Sequence, residues 1–348
     1  MDKIKVGIIG CGTIARQRHA NEYSKNSDVT IAGFYDINIL RAEAMVKDFG
    51  GQIYEAVEDL IADPDIDAVS ICATNKDHAH LTIAALEHNK HVLCEKPMAT
   101  SLQDCEKMYA AAAVNNKHLL IGHNQRLTPT HLKAKLLLDS GVLGRVINFQ
   151  STFGHAGPEM WSVDKSADTW FFKKGSASFG SLADLGIHKI DLMRYLVGGK
   201  VTMVYSTMVT LDKKFSDGSP IEVDDNSVEV LSFDNGALGT ISTSWTHYGE
   251  ECNATVLYCE KGIMKLYCNP QYSLEIIYKD GRRENYEIDH VQTNDDVQQE
   301  SSGVIDVFVD AVKSDSKTPL DAEEALESMR VVFACISSSE NQAAVNLM

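Results

Sequence analysis

The chain has 348 residues, with 49 acidic against 32 basic side chains and a formal charge of -17. Its 44% hydrophobic and 23% charged residues can bury the core of one large domain or two ordinary ones. That acidity argues against a nucleic-acid backbone binder, and the lack of an 18-residue apolar run argues against a membrane span. The N-terminus runs into an apolar strand with no basic n-region, so no secretory leader is expected. Eight scattered cysteines with no C-x-x-C pair read as buried free thiols of a cytoplasmic protein. The twelve histidines show no ligand-like spacing, so no metal is expected.

Lys3 to Arg16 (KIKVGIIGCGTIAR) runs from an apolar strand through glycines into a helix. Gly10, Gly12 and Ala15 fit the dinucleotide fingerprint G-x-G-x-x-G/A, in which each small residue serves a tight turn, a close backbone approach or close packing. Thr13 and Ile14 open the helix, whose unpaired N–H groups suit a pyrophosphate. Val29 to Tyr35 is the second strand, and Asp36 at its end is placed to grip an adenosine ribose, or to cap the helix Asn38 to Phe49. A carboxylate there favours NAD over NADP, because like charges about 4 Å apart repel by about 4 kcal/mol at intermediate dielectric. Arg41 softens that repulsion if it turns toward the ribose.

Gln52 to Tyr54, Ala68 to Ala73, Val92 to Cys94 and Leu119 to Gly122 read as further buried strands. They alternate with helices at 56–62, after Thr74-Asn75, and at 101–115. Apolar rather than alternating strands imply a parallel sheet covered on both faces, with ligands beyond the strand C-termini. Past residue 124 the texture changes. A helix at 129–140 and an alternating strand within 141–153 precede an irregular stretch, 154–180, which holds His155, Trp161 and Trp170. A helix at 181–197 follows, and then β-branched runs separated by turns such as Asn235-Gly236, a hairpin signal. Helices at 304–312 and 322–338 close the chain. The expected architecture is a nucleotide-binding Rossmann domain (1–124) plus an α+β domain (125–348) with a large, open, mostly antiparallel sheet.

Two groups carry chemistry. Lys96, in Glu95-Lys96-Pro97, ends a buried strand at the ligand edge, where an ammonium stabilises developing alkoxide charge. Asp184 and His188 are four residues apart on a helix, a spacing that lets a carboxylate orient an imidazole base. The alternative readings are an exposed loop lysine and a solvated polar face.

With GIIGCGTIA, the YD after the second strand, ATNKDHAHLTIAALEHNKHVLCEKPMA, GSLADLGIHKIDLMRYLVG and the closing helices, the chain resembles the glucose–fructose oxidoreductase / inositol dehydrogenase / rhizopine catabolism (Gfo/Idh/MocA) family. The resemblance implies Lys96, Asp184 and His188 as the catalytic group, with Asp184 orienting His188. It also implies that Thr74, Asn75, His78 and Glu95 line the cofactor and that Arg126 lies at the substrate. Many members carry consecutive glycines before the aspartate, where this chain has Ser178-Phe179-Gly180-Ser181.

The expected activity is NAD(H)-dependent hydride transfer to or from a secondary alcohol of a sugar, cyclitol or derivative. The loops around His155, Trp161 and Trp170 would decide which one. An NAD-assisted glycosidase and a nucleotide-sensing regulator are the alternatives. A homodimer or homotetramer through the second sheet is also implied by the resemblance, with Val228, Val230, Leu238, Ile241 and Trp245 offering apolar surface.

Overall fold

The first strands of this chain are mostly apolar and mostly buried, and they lie inside a covered sheet. The structure, a computed structural model, describes residues 3–290 and 301–347. β1 (Ile4–Ile9), β2 (Val29–Tyr35), β3 (Gln52–Ile53), β4 (Ala68–Ile71), β5 (His91–Cys94) and β6 (Leu119–Ile121) form a parallel sheet in the order β3-β2-β1-β4-β5-β6. Ile8, Val69, Ile71, Leu93 and Leu120 are fully buried. The order reverses beside β1, so the C-terminal ends of β1 and β4 flank the crevice where such sheets hold ligands.

The second sheet contains β7 (Val146–Gly154), β8 (Val201–Val209), β9 (Asn226–Phe233), β10 (Leu238–Ser244), β11 (Thr255–Cys259), β12 (Gly262–Leu266), β13 (Leu274–Tyr278), β14 (Arg283–Tyr286) and β15 (Val345–Asn346). Its order is β14-β13-β12-β11-β7-β10-β9-β8-β15, antiparallel except where β7 and β10 pair in parallel. Here burial alternates, as along β9, because one face packs on helices and the other does not. Leu231 and Phe233 face inward, as do Ile241 and Trp245, which are fully buried. The expectation that Ile241 and Trp245 lie on the exposed face is therefore corrected, since the strand period of two sends them to the core. Val228, Leu238, Tyr205 and Ile147 do stand on the exposed side, between 43% and 51% accessible.

Two further features place the site. The helix Val304–Ser314 returns to the first sheet, where Ile305 and Phe308 pack in one cluster with Val6, Ile8, Leu93 and Leu120. The helices that follow β1 and the 154–180 stretch both contain widened, π-type turns, at Ala15–Ala20 and Leu182–Gly186. Such turns shift every later side chain around the axis and are common at functional sites.

Glu229 on the inner face of β9 is fully buried, with Ser206 Oγ at 3.5 Å and no hydrogen-bond partner for Oε2 among the described residues. Burial pushes its carboxyl up to about 8. A carboxyl raised in the folded state stabilises most below its unfolded value, and that contribution is lost as pH climbs through the folded one. Glu229→Gln is therefore expected to melt at nearly the wild-type temperature at pH 5 and roughly 2 °C or more above it at pH 9, by differential scanning calorimetry.

Candidate active site

The C-terminal ends of β1, β2, β4 and β5 open into one cavity of about 910 Å³, closed on the far side by residues of the second half of the chain. Gly10 turns with φ +88°, and a Cβ there would stand 2.6 Å from the Cys72 carbonyl oxygen, so only glycine fits. A Cβ on Gly12 would meet no protein atom within 4 Å, which leaves open space over the start of the following helix. Thr13 and Ile14, the first residues of that helix, line the cavity beside it. Asp36 lines the same space while its carboxylate accepts from Cys11 N–H (2.7 Å) and Asn38 N–H (2.8 Å), tying the glycine turn to the end of β2. The helix cap itself is Asn38, whose side chain accepts from Leu40 N–H. Arg41 is drawn instead to Asp164 at 2.6 Å, which joins the nucleotide side to the irregular stretch.

Thr74, Asn75 and His78 lie past β4. Thr74 Oγ1 donates to Asp77 (2.5 Å) and Asn75 Nδ2 to the Ala177 carbonyl (3.0 Å). His78 is buried against the Pro97 carbonyl at 2.8 Å, and burial lowers its pKa. It lines the cavity but braces the turn after β5. Glu95 is buried with His19 Nε2 at 3.0 Å and Arg18 at 3.6 Å. Burial alone would raise its carboxyl, but the His19 hydrogen bond and the Arg18 charge hold it well below the usual range.

Lys96 Nζ crosses to the second half of the chain, donating to Asp184 Oδ1 at 2.7 Å and to the Asp184 carbonyl at 3.1 Å. The other carboxylate oxygen accepts from Trp245 Nε1 at 3.1 Å and lies 3.8 Å from His155 Nε2. Burial opposes ionisation of Asp184, yet Lys96 and His155 lower its pKa. The expected Asp184–His188 hydrogen bond is absent, because the widened turn at 182–186 breaks the α-helical spacing and aims the carboxylate at Lys96. His188 also lines the cavity, and its Nδ1 has no hydrogen-bond partner among the described residues. Burial, and after it the Lys96 charge, push the imidazole pKa well below 6.5, which keeps the ring neutral.

Arg126 corrects a second expectation. Its guanidinium is buried, bidentate to Asp191 (2.7 and 2.8 Å), and it does not line the cavity. Sequence reading missed that a buried arginine demands a carboxylate, and Asp191 supplies it. His155, Trp161 and Trp170 do line the cavity, with Phe171 stacked on Trp170 at 3.9 Å and edge-on to Trp161 at 5.2 Å. Phe179 lines it too, where the resemblance led to glycine, whereas Gly180 is forced by the Asp224 carbonyl only 1.7 Å from where a Cβ would sit. Phe153, Glu251, Asn253, Tyr267 and Asp289 are further wall residues that no motif marks.

The oxidoreductase family with an NAD-binding Rossmann fold matches residues 4–123, and the Gfo/Idh/MocA C-terminal domain matches 131–265. The chain belongs to the Gfo/Idh/MocA oxidoreductase family. Glucose-6-phosphate 3-dehydrogenase of Bacillus subtilis is 32% identical over 254 residues, covering 72% of this chain and 71% of that protein. Levoglucosan dehydrogenase of Pseudarthrobacter phenanthrenivorans is 34% identical over 207 residues, covering 55% of this chain and 52% of that protein. The solved structure of a levoglucosan dehydrogenase with NADH and L-sorbose superposes with a TM-score of 0.86 at 24% identity, over 99% of each chain. As a Gfo/Idh/MocA member the chain has an NAD-binding Rossmann domain.

The residues present fit that cofactor. The space over Gly12, the helix start at Thr13 facing it and Asp36 at the end of β2 are what a dinucleotide needs. Gly12→Ala is expected to leave the melting temperature within about 1 °C, since no protein atom is met, while weakening NADH binding by about tenfold or more in a fluorescence titration. Gly10→Ala is expected to destabilise the fold by roughly 1–3 kcal/mol in urea unfolding, from strained backbone and the Cys72 clash.

Proposed function

We propose that this protein is an NAD(H)-dependent dehydrogenase acting on a secondary alcohol of a sugar, cyclitol or sugar derivative. The observation that carries the reading is that Lys96, from the end of β5, and His188, from the second half, face one cavity continuous with the nucleotide crevice. The family relatives named for sugar hydroxyls support the substrate class.

NAD, when bound, supplies the hydride acceptor. His188, neutral and lining the cavity, takes the hydroxyl proton. Lys96, fixed by Asp184, holds its ammonium toward the oxygen on which negative charge develops. Asp184 is thus a positioning group for the lysine, and Trp245 and His155 restrain the carboxylate. Trp161, Trp170 and Phe171 offer apolar faces for the C–H side of a sugar ring and keep water out.

The first 124 residues are assigned to nucleotide binding, and residues 125–348 to substrate binding and self-association, apart from the helix Val304–Ser314, which packs into the core of the first sheet. A dimer or tetramer is supported by the apolar exposed side of the second sheet, including Val228 and Leu238. Cytoplasmic residence is supported by eight cysteines all free. No described helix is long and apolar enough to cross a membrane.

His188→Ala is expected to lower kcat by about 10²–10⁴ with NADH affinity within twofold, checked by stopped-flow absorbance with a panel of polyols. Wild-type oxidation should lose rate only below pH 6.5, and removing the neighbouring ammonium in Lys96→Met should move that acidic limb upward while slowing turnover. Unchanged turnover in both variants overturns the reading. Light scattering at micromolar concentration should report a dimer or tetramer, and Val228→Lys with Leu238→Lys should yield monomer.

A further inference from the structure

Among the described residues four lysines and arginines line the cavity, and three of them are accounted for. Arg41 donates to Asp164, Lys96 donates to Asp184, and Lys76 is exposed to solvent. Arg18 is the fourth. Its side chain is only 13% exposed, yet its guanidinium makes no hydrogen bond among the described residues, and its Nε is buried without a partner. The carboxylate paired with it, that of Glu95, stands 3.6 Å away and is already engaged by His19 Nε2 (3.0 Å) and by the Lys96 N–H (3.2 Å). A guanidinium carries five N–H donors, and holding them unpaired and largely out of water is costly. Such a group calls for an acceptor in the space it lines.

Its place in the fold says which acceptor. Arg18 belongs to the helix that starts at Thr13, directly after the glycine turn. Ile14, one turn earlier, lines the cavity as well, and helical side chains lean toward the N-terminus of their helix. Arg18 is thereby aimed back toward Thr13 and the open space over Gly12. Burial is the largest influence on the titration of Cys72, Glu95 and His188, and the Arg18 charge acts on all three. The guanidinium therefore lies among the ends of β4 and β5 and the imidazole, on the opposite side of β1 from Asp36.

We propose that Arg18 clamps the pyrophosphate of the bound dinucleotide. The inference rests on the nucleotide-binding part of the dehydrogenase reading and holds whichever alcohol is oxidised. The pyrophosphate is the anion that a glycine turn and the helix start behind it are shaped to receive. Asp36, Asp77 and Glu95 line the same half of the cavity, and the chain carries a formal charge of -17, so a doubly charged ligand needs a local cation. A guanidinium can reach two phosphate oxygens at once, which an ammonium cannot. Glu95, near enough to attract it but too far to hydrogen-bond, keeps the group inside while leaving its donors free.

The test compares the full-length wild type with Arg18→Met and Arg18→Lys, using NADH, ADP-ribose and adenosine. NADH is titrated by fluorescence and displaced by the other two. Arg18→Met is expected to weaken NADH and ADP-ribose by about tenfold or more, and adenosine, which has no phosphate, by no more than about twofold. Arg18→Lys keeps the charge but not the fork, and should cost ADP-ribose roughly threefold. Raising salt from ~20 to ~300 mM should weaken ADP-ribose more in wild type than in Arg18→Met. Should Arg18→Met fail to fold, the Arg18→Lys comparison of ADP-ribose against adenosine decides. An equal loss for adenosine marks a structural role, and unchanged ADP-ribose affinity with a raised KM for the alcohol marks a substrate contact. Either result overturns the inference while leaving the dehydrogenase intact. A wild type that binds no NADH instead removes the cofactor reading, and this inference with it.

Discussion

The working end of this protein hangs on one buried contact, the Lys96 ammonium against the Asp184 carboxylate at 2.7 Å. It joins the tip of a strand in the first sheet to a helix that packs on the second. Burial makes each partner costly alone, so each needs the other in place. The same ammonium also lowers the proton affinity of His188, which keeps that imidazole an acceptor. Trp245 completes the arrangement from the sheet below, its indole N–H fixing the second carboxylate oxygen. The ion pair thus fixes the geometry of the site, and it adds to the burial that keeps His188 neutral.

Much of the architecture was legible in the chain because its two halves use different periodicities. Short, mostly apolar strands such as Ala68–Ile71, buried at every position, have no solvent face and mark a covered parallel sheet. The alternation along Asn226–Phe233 marks a sheet with one face on helices. The glycine turn was legible too, since Gly10 and Gly12 have distinct physical reasons to lack side chains. Strand ends shifted by a residue or two, where the ladder stops but the apolar pattern continues.

The site was legible in membership more than in connection. Lys96, Asp184 and His188 do converge on one cavity, but the i, i+4 rule misassigned the partner of Asp184. That rule assumes α-helical turns, and a widened turn between 182 and 186 rotates the carboxylate toward the lysine. Arg126 and Asp191 formed a hidden pair because they are 65 residues apart, a distance over which no local pattern speaks. Ile241 and Trp245 share the same lesson in a sheet: apolar residues on a strand are easy to find, but their face depends on register. Wall residues such as Tyr267 and Asp289 had no signal at all, being brought in by loops whose paths are set by tertiary packing.

The return of the helix Val304–Ser314 to the first sheet has a consequence for how the chain can be divided. Ile305 and Phe308 complete a cluster that Val6, Ile8, Leu93 and Leu120 leave unfinished. A fragment ending near residue 124 would present that greasy surface to water and lack the element that shields it. The nucleotide-binding half is therefore not a detachable module, and its first core cluster is completed only once residues 304–314 are in place.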